Sequence, residues 1–358
     1  MLTLRAANVC AVLPTILGTI VSVAHADDQL AAMAAAADQA RKTVTAWHGP
    51  TNSPPLQKGK TIYAITCASQ GIGCVRAANG AKEGGEAAGW TVRVIDGKGD
   101  PGTWNGAIQS AIAAKADGIV LAAVPPALVG DAIERAKKSN VSVVSVFNPI
   151  PEANSSVFAW VRPEHPAQGA LMADWVAQDS QGKAHVLVVE DREFGELRQR
   201  VTAFGEEIKK CSGCKAVGTV DITLGTMVQR LPGLISAQLS ANPDIDYIVV
   251  PYDSAAFFVG EGVRQAGRTG KVKIAGYEGD PQTIDAIHNG TQAATIADPA
   301  EWMGWQAIDE LNRSFAGGPA QNTPVVFKLI DKSNAPDTKG WLGDYDFKAE
   351  YRKLWGVK

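Results

Sequence analysis

The chain of 358 residues is poor in histidine and cysteine, with five of each, and it has no marked excess of either charge. Its 34 lysines and arginines stand against 37 acids, a formal net charge of −3 with no basic tract, so nucleic acid is not an expected partner. The histidines of the body (His48, His165, His185 and His288) are scattered and form no H-E-x-x-H pattern. No G-x-S-x-G nucleophile elbow occurs either, and His165 beside Pro166 reads as a hinge or cap residue rather than a base. Beyond the first residues no apolar run is long enough to span a bilayer. Enzymatic chemistry and a cofactor are therefore not expected.

What is present begins with an export signal over residues 1–26: Arg5, then "VCAVLPTILGTIVSV", then the A-x-A site Ala24-His25-Ala26. Pro14 interrupts the apolar run, and the run falls short of the ~20 residues an anchor needs. The expected product is a soluble periplasmic protein. Export leaves four cysteines, Cys67, Cys74, Cys211 and Cys214, and an even number in an oxidising compartment reads as disulfides. Of three possible pairings, Cys67–Cys74 with Cys211–Cys214 is the economical one. "CSGC" also raises a thioredoxin-like alternative, but it follows a helical run where a redox motif should begin one.

Residues 27–59 combine an Ala-rich helical segment with the Pro-rich linker "HGPTNSPPLQKG", which is unable to join a sheet. From Lys60 a rhythm sets in. Val- and Ile-rich runs such as "TIYAIT", "TVRVID", "GIVLAAV" and "VSVVSVF" alternate with amphipathic stretches, and they are continuous rather than alternating, as suits parallel strands covered on both faces. The rhythm restarts after Val161, so the fold class is α/β with two doubly wound lobes. The expected lobes are 60–161 with 300–322, and 163–298 with 324–358. In such sheets ligands bind beyond the carboxyl ends of the strands.

One string, "TCASQGIGCVRAANG", imitates a dinucleotide-binding loop. It carries Gly71 and Gly73, but Arg76 stands where the third glycine belongs, so pyrophosphate binding is disfavoured. A glycine lip folding over a cleft, clamped by Cys67 and Cys74, is the better reading.

The strings "GKTIYAIT", "GAKEGGEAAGWTVRVIDGKGDP", "AIQSAIAAKADGIVLAAV", "RVTAFGEEI" and "IAGYEGDPQTIDAIHNGTQAATIADPAEWMG" resemble the type I periplasmic substrate-binding proteins of ABC transporters, the ribose- and galactose-binding group. The resemblance implies two Rossmann-like lobes joined by a three-segment hinge, closing on a small-molecule ligand delivered to a permease at the inner membrane. It also implies a monomer that does no chemistry on its cargo.

Carried over residue by residue, it places candidate ligand contacts at Ser69 and Gln70 in the first loop and at Phe147 and Asn148 after the fourth strand. Arg200, Tyr252, Asp253, Glu278 and Asp298 follow in the second lobe, and Trp302 just past the second crossover could wall the cleft. The sugar-gripping Asp-Arg pair is replaced by Phe147 and Asn148, and the first loop has no aromatic. A sugar or sugar-like polyol is the expected ligand. A non-sugar aromatic or carboxylated molecule gripped by Arg200 is the alternative, as is a sensory role beside a receptor kinase. If Glu278 and Asp298 both face Arg200, one is expected to orient the guanidinium while the other meets the ligand.

Overall fold

The structure, a computed structural model, describes residues 18–151 and 155–358, with side chains from residue 27 onward. The first 17 positions of the expected export signal, and all its side chains, lie outside the described residues. Helix α1 (Gly18–Ala40) leads into two α/β lobes. The first is built on β1 (Thr61–Thr66), α2 (Ile72–Ala87), β2 (Thr91–Asp96), α3 (Pro101–Ala113), β3 (Gly118–Ala122), α4 (Gly130–Lys138), β4 (Ser142–Val146) and β5 (Ala159–Val161). Its five strands are parallel in the order β2-β1-β3-β4-β5. Local chemistry agrees with the layers. Every residue of β3 is buried, while α3 starts at Asp100, whose carboxylate accepts from the Thr103 N–H at 2.7 Å with Pro101 in the first turn.

The second lobe repeats the pattern with α5 (His165–Asp179), β6 (His185–Asp191), α6 (Gly195–Glu207), β7 (Lys215–Ile222), α7 (Met227–Ala241), β8 (Tyr247–Val249), α8 (Asp253–Gln265), β9 (Lys273–Glu278), α9 (Pro281–Asn289) and β10 (Ala294–Ala297). Its sheet runs β7-β6-β8-β9-β10, the same order as the first, with β11 (Lys328–Asp331) added antiparallel to β10. Between β10 and β11 the chain returns to the first lobe as α10 (Ala300–Phe315), and it ends in α11 (Phe347–Trp355). Three crossings thus join the lobes, at 162–164, 298–299 and 316–327. The first and third run together, the Val325 N–H donating to the Arg162 carbonyl at 3.2 Å.

One expected boundary is corrected. Residues 324–358 do not stay with the second lobe: β11 joins its sheet, but α11 crosses back onto α10, where Trp355 stacks on Trp305 at 5.4 Å and donates to Asp309 at 2.9 Å. The driving force is apolar area, since Phe347, Tyr351 and Trp355 are all buried there.

The amino-terminal arm makes the same crossing. Met33 and Ala37 of α1 are buried on the second lobe, and Arg41 Nε bonds Asp331 at 2.7 Å. Farther on, Trp47 stacks on Trp302, Ser53 bonds Asp309 at 2.6 Å, and the Gln57 N–H donates to Asn312 at 2.9 Å. Asp344 ties the two straps, accepting from the Val44 N–H at 2.7 Å and from Lys328 at 2.9 Å. Among the described residues no helix is long and apolar enough to cross a membrane.

Candidate functional site

The carboxyl ends of the two sheets face one another, and the lobes touch. Pro149, after β4, lies against Gly195 at the start of α6. At a second contact Arg76 of α2 reaches into the other lobe. It donates to the carbonyls of Glu278 and Gly279 at 3.0 and 3.3 Å and to Asp280 Oδ1 at 3.2 Å, while a bidentate grip on Glu301 at 2.9 and 2.8 Å fixes its plane. It also holds the Trp341 carbonyl at 3.1 Å. The residue whose side chain spoils the dinucleotide pattern is therefore the bolt between the lobes.

The first loop is rigid at its root and open at its tip. The Cys67 N–H donates to Ala122 O, and the Cys67 carbonyl accepts from Trp104 Nε1 and the Gly99 N–H, each at 2.8–2.9 Å. Cys67 pairs with Cys74, and Cys211 with Cys214, so the economical pairing is the one the geometry forms. Gly71 has to lack a side chain, because a Cβ there would lie 2.7 Å from both sulfurs. Ser69 and Gln70, at the exposed tip, bond nothing but each other. Cys211 lies at a helix end, past the turn that closes α6, rather than at a helix start as a thioredoxin-like motif would.

After β4 the backbone is strained. Phe147 has φ +72°, a left-handed value that a bulky side chain rarely adopts. Its carbonyl faces His165 Nε2 at the start of α5. Asn148 spends its amide nitrogen on Val124 O, Ser145 Oγ and Val146 O at 2.9–3.2 Å, and so ties the loops after β3 and β4 together.

Arg200 is buried with every nitrogen engaged: Nε on Gln168 Oε1 at 2.9 Å, Nη1 on Pro251 O at 3.4 Å and Nη2 on Asp298 Oδ2 at 2.9 Å. Its plane lies over the Tyr277 ring at 4.8 Å. Asp298 is completed by Gln168 Nε2 at 2.6 Å, so Asp298 is the acid that orients the guanidinium. Burial, helped by Arg200, pushes His165 down to about 3, leaving it neutral. Asp253 is also filled, taking Gln292 at 2.7 Å, Thr295 at 2.7 Å and the Gly279 N–H at 2.8 Å. It pins the start of α8, the loop after β9 and the entry to β10 together. Tyr252 donates its hydroxyl to Asp191 at 3.2 Å.

Glu278 differs from these. It ends β9 at φ +101°, and its carboxylate lies across the cleft against Gly73, where a Cβ would come within 2.4 Å of Oε2. No described donor meets that carboxylate. Burial, and then Asp280, hold its carboxyl well above the usual range.

Trp302 is a correction. It does not wall the cleft, because Trp47 stacks on it at 5.0 Å and Phe347 at 6.1 Å, and it is 1% exposed inside the aromatic cluster that anchors both straps. Its place one turn past a crossover gave the wrong cue, for the arm that covers it joins from far away in sequence. Arg76, Gln168 and Asp280 were missed for the same kind of reason, since their roles exist only once two lobes meet. An open depression of about 620 Å³ lined by Lys60, Asp117 and Phe315 lies at the opposite, amino ends of the first sheet's strands and shares nothing with this site.

The periplasmic binding protein domain matches residues 62–319. The chain belongs to this family, and its fold is that of a type I periplasmic binding protein. The ribose import binding protein of Escherichia coli K12 is 22% identical over 265 residues, covering 71% of this chain and 84% of that one. The D-allose-binding periplasmic protein of the same organism is 27% identical over 213 residues, 56% of this chain and 66% of that one. Among solved structures, a glucose-galactose binding protein from Geobacillus stearothermophilus superposes with a TM-score of 0.70 at 23% identity, covering 78% of this chain and all of that one. An ABC transporter solute-binding protein from Agrobacterium vitis, bound with α-D-tagatopyranose, gives 0.71 at 18% identity, covering 78% and 96%. The family domain leaves out both straps and contains Trp302 and Trp305, on which they dock.

Proposed function

We propose that this periplasmic binding protein is exported through a cleaved signal, captures a small polar solute between its lobes as a monomer, and presents the closed form to an ABC importer. The observation that carries the reading is the convergence of Arg200, Asp298 and Glu278 at the carboxyl ends of the second sheet, directly across from the disulfide-clamped first loop. The chain's membership in a family of binding proteins supports a site that holds a solute without transforming it. The proteins it is similar to are named for ribose and allose, which supports a polyhydroxylated cargo. A carboxylated cargo fits less well: Arg200 is committed to Asp298, and the acids around it oppose a second anion.

A thermal-shift screen of the mature chain against sugars, polyols, nucleosides, amino acids and aromatic acids tests this. At about 1 mM, a solute with Kd near 1 μM adds about 4 kcal/mol by mass action. Hits confined to aromatic acids would overturn the polyol reading. Hits whose affinity survives Tyr252→Ala and Glu278→Ala would move the site out of the cleft.

A further inference from the structure

The carboxyl ends of β8, β9 and β10 bring four carboxylates together, Asp253, Glu278, Asp280 and Asp298, and for Asp253, Glu278 and Asp280 a neighbouring acid adds to burial in disfavouring the ionised form. Two fixed cations answer them. Arg200 is consumed by Asp298, Gln168 and a carbonyl, and Arg76 is divided among Glu301, Asp280 and three carbonyls. Formally the set is two positive charges short. The deficit is localised: Asp253 and Asp298 have donors on both oxygens, whereas Asp280, only 2% exposed, keeps Oδ2 without a partner. Glu278 has no described donor at all, although a strained backbone holds its carboxylate across the cleft against Gly73. A neutral hydroxyl donates one hydrogen bond and leaves the charge deficit unchanged. An ammonium group donates up to three and removes half of it.

We propose that the solute carries a cationic nitrogen, a protonated amine that sits on Glu278 beside the first turn of α2, so that the cargo is an amino-bearing polyol or sugar rather than a neutral one. This rests on the cleft being the solute site.

The test is calorimetric titration of the full mature chain with matched pairs: glucosamine against glucose, galactosamine against galactose, 1-amino-1-deoxysorbitol against sorbitol, with putrescine as an amine lacking hydroxyls. The expected result is that at least one amine binds 30-fold or more tightly than its neutral partner and that Glu278→Gln removes that preference, with a melting transition proving the variant folded. Glu278→Asp, which keeps the charge, should retain part of the preference. Equal binding within pairs, or a preference untouched by Glu278→Gln, overturns the cationic nitrogen while leaving the cleft as the solute site. Solute stripped from protein isolated from its own host supplies a second readout by high-resolution mass: a formula without nitrogen overturns the proposal and leaves solute capture standing. Silence from every compound together with no co-purified solute overturns both.

Discussion

The strap cluster and the cleft are both made where distant parts of the chain meet over the hinge, and they are finished to different degrees. In the cluster the large rings are packed on one another, and only Trp305 Nε1 and Tyr345 Oη among its described ring atoms lack a hydrogen-bond partner. Trp47, Trp302, Phe347, Trp305 and Trp355 stack in parallel pairs, and Asp309 serves Ser53, Arg313 and Trp355 at once. Its acids are held by donors: Arg41 and Ser333 keep Asp331, and Trp341, Val44 and Lys328 keep Asp344, below the ordinary range despite burial. In the cleft, burial wins over the available partners, and Asp191, Glu196, Asp253, Glu278 and Asp280 are all pushed up. The left-handed residues Phe147 and Glu278 are there too. The contrast supports the proposal that the cleft, rather than the cluster, receives a solute.

The strongest way to break that contrast is Trp302→Ala. Removing a fully buried indole stacked by two rings should cost roughly 3–5 kcal/mol in denaturant unfolding and release the arm to proteolysis near Trp47, while solute affinity is retained. Lost affinity with unchanged stability would put Trp302 back in the cleft wall. A smaller effect is expected from the Cys67→Ala/Cys74→Ala pair. Opening a short loop should lower stability by about 2–3 kcal/mol in the chain-entropy model, and here affinity should fall too, because Ser69 and Gln70 lose their preset position. Stability and binding fall together in the first loop and separately in the cluster.

The doubly wound α/β class and the economical cysteine pairing were legible in the sequence because each depends on local signals. Continuous Val and Ile runs mark covered strands, and short cysteine spacings mark a neighbour pairing. Strand ends were overread: "VSVVSVF" yields only Ser142–Val146 as strand, since Phe147 turns into the left-handed region at φ +72°. In the site, the arithmetic of two acids and one arginine was readable, and Asp298 orients while Glu278 stays free. Trp302, Arg76 and the return of α11 were not, because each is decided by a contact distant in sequence: Trp47 with Trp302, Arg76 with Glu301, and Trp355 with Trp305 and Asp309. No period or motif encodes such a meeting.

The finest separation of the two regions is by pH. An acid whose folded pKa exceeds its unfolded value of about 4 makes the native state bind more protons than the unfolded chain between those two values, so stability falls as pH rises through that window. For Asp280, pushed to about 6, and Asp253, pushed to about 7, the window runs from near 4 to about 7. Asp331 and Asp344 act in reverse: their contribution is complete above pH 4 and lost as pH falls through their lowered values. The ligand-free protein should therefore melt highest near pH 5 and a few degrees lower at pH 7.5, a loss on the order of 1–2 kcal/mol. Glu278→Gln should shrink that difference by removing one of the groups that cause it, and Asp344→Asn should leave it intact while lowering stability at every pH above 4. A melting temperature that climbs steadily from pH 5 to 7.5 would mean that the cleft acids are already neutralised, and the contrast between a finished region and an unfinished one would fail with it.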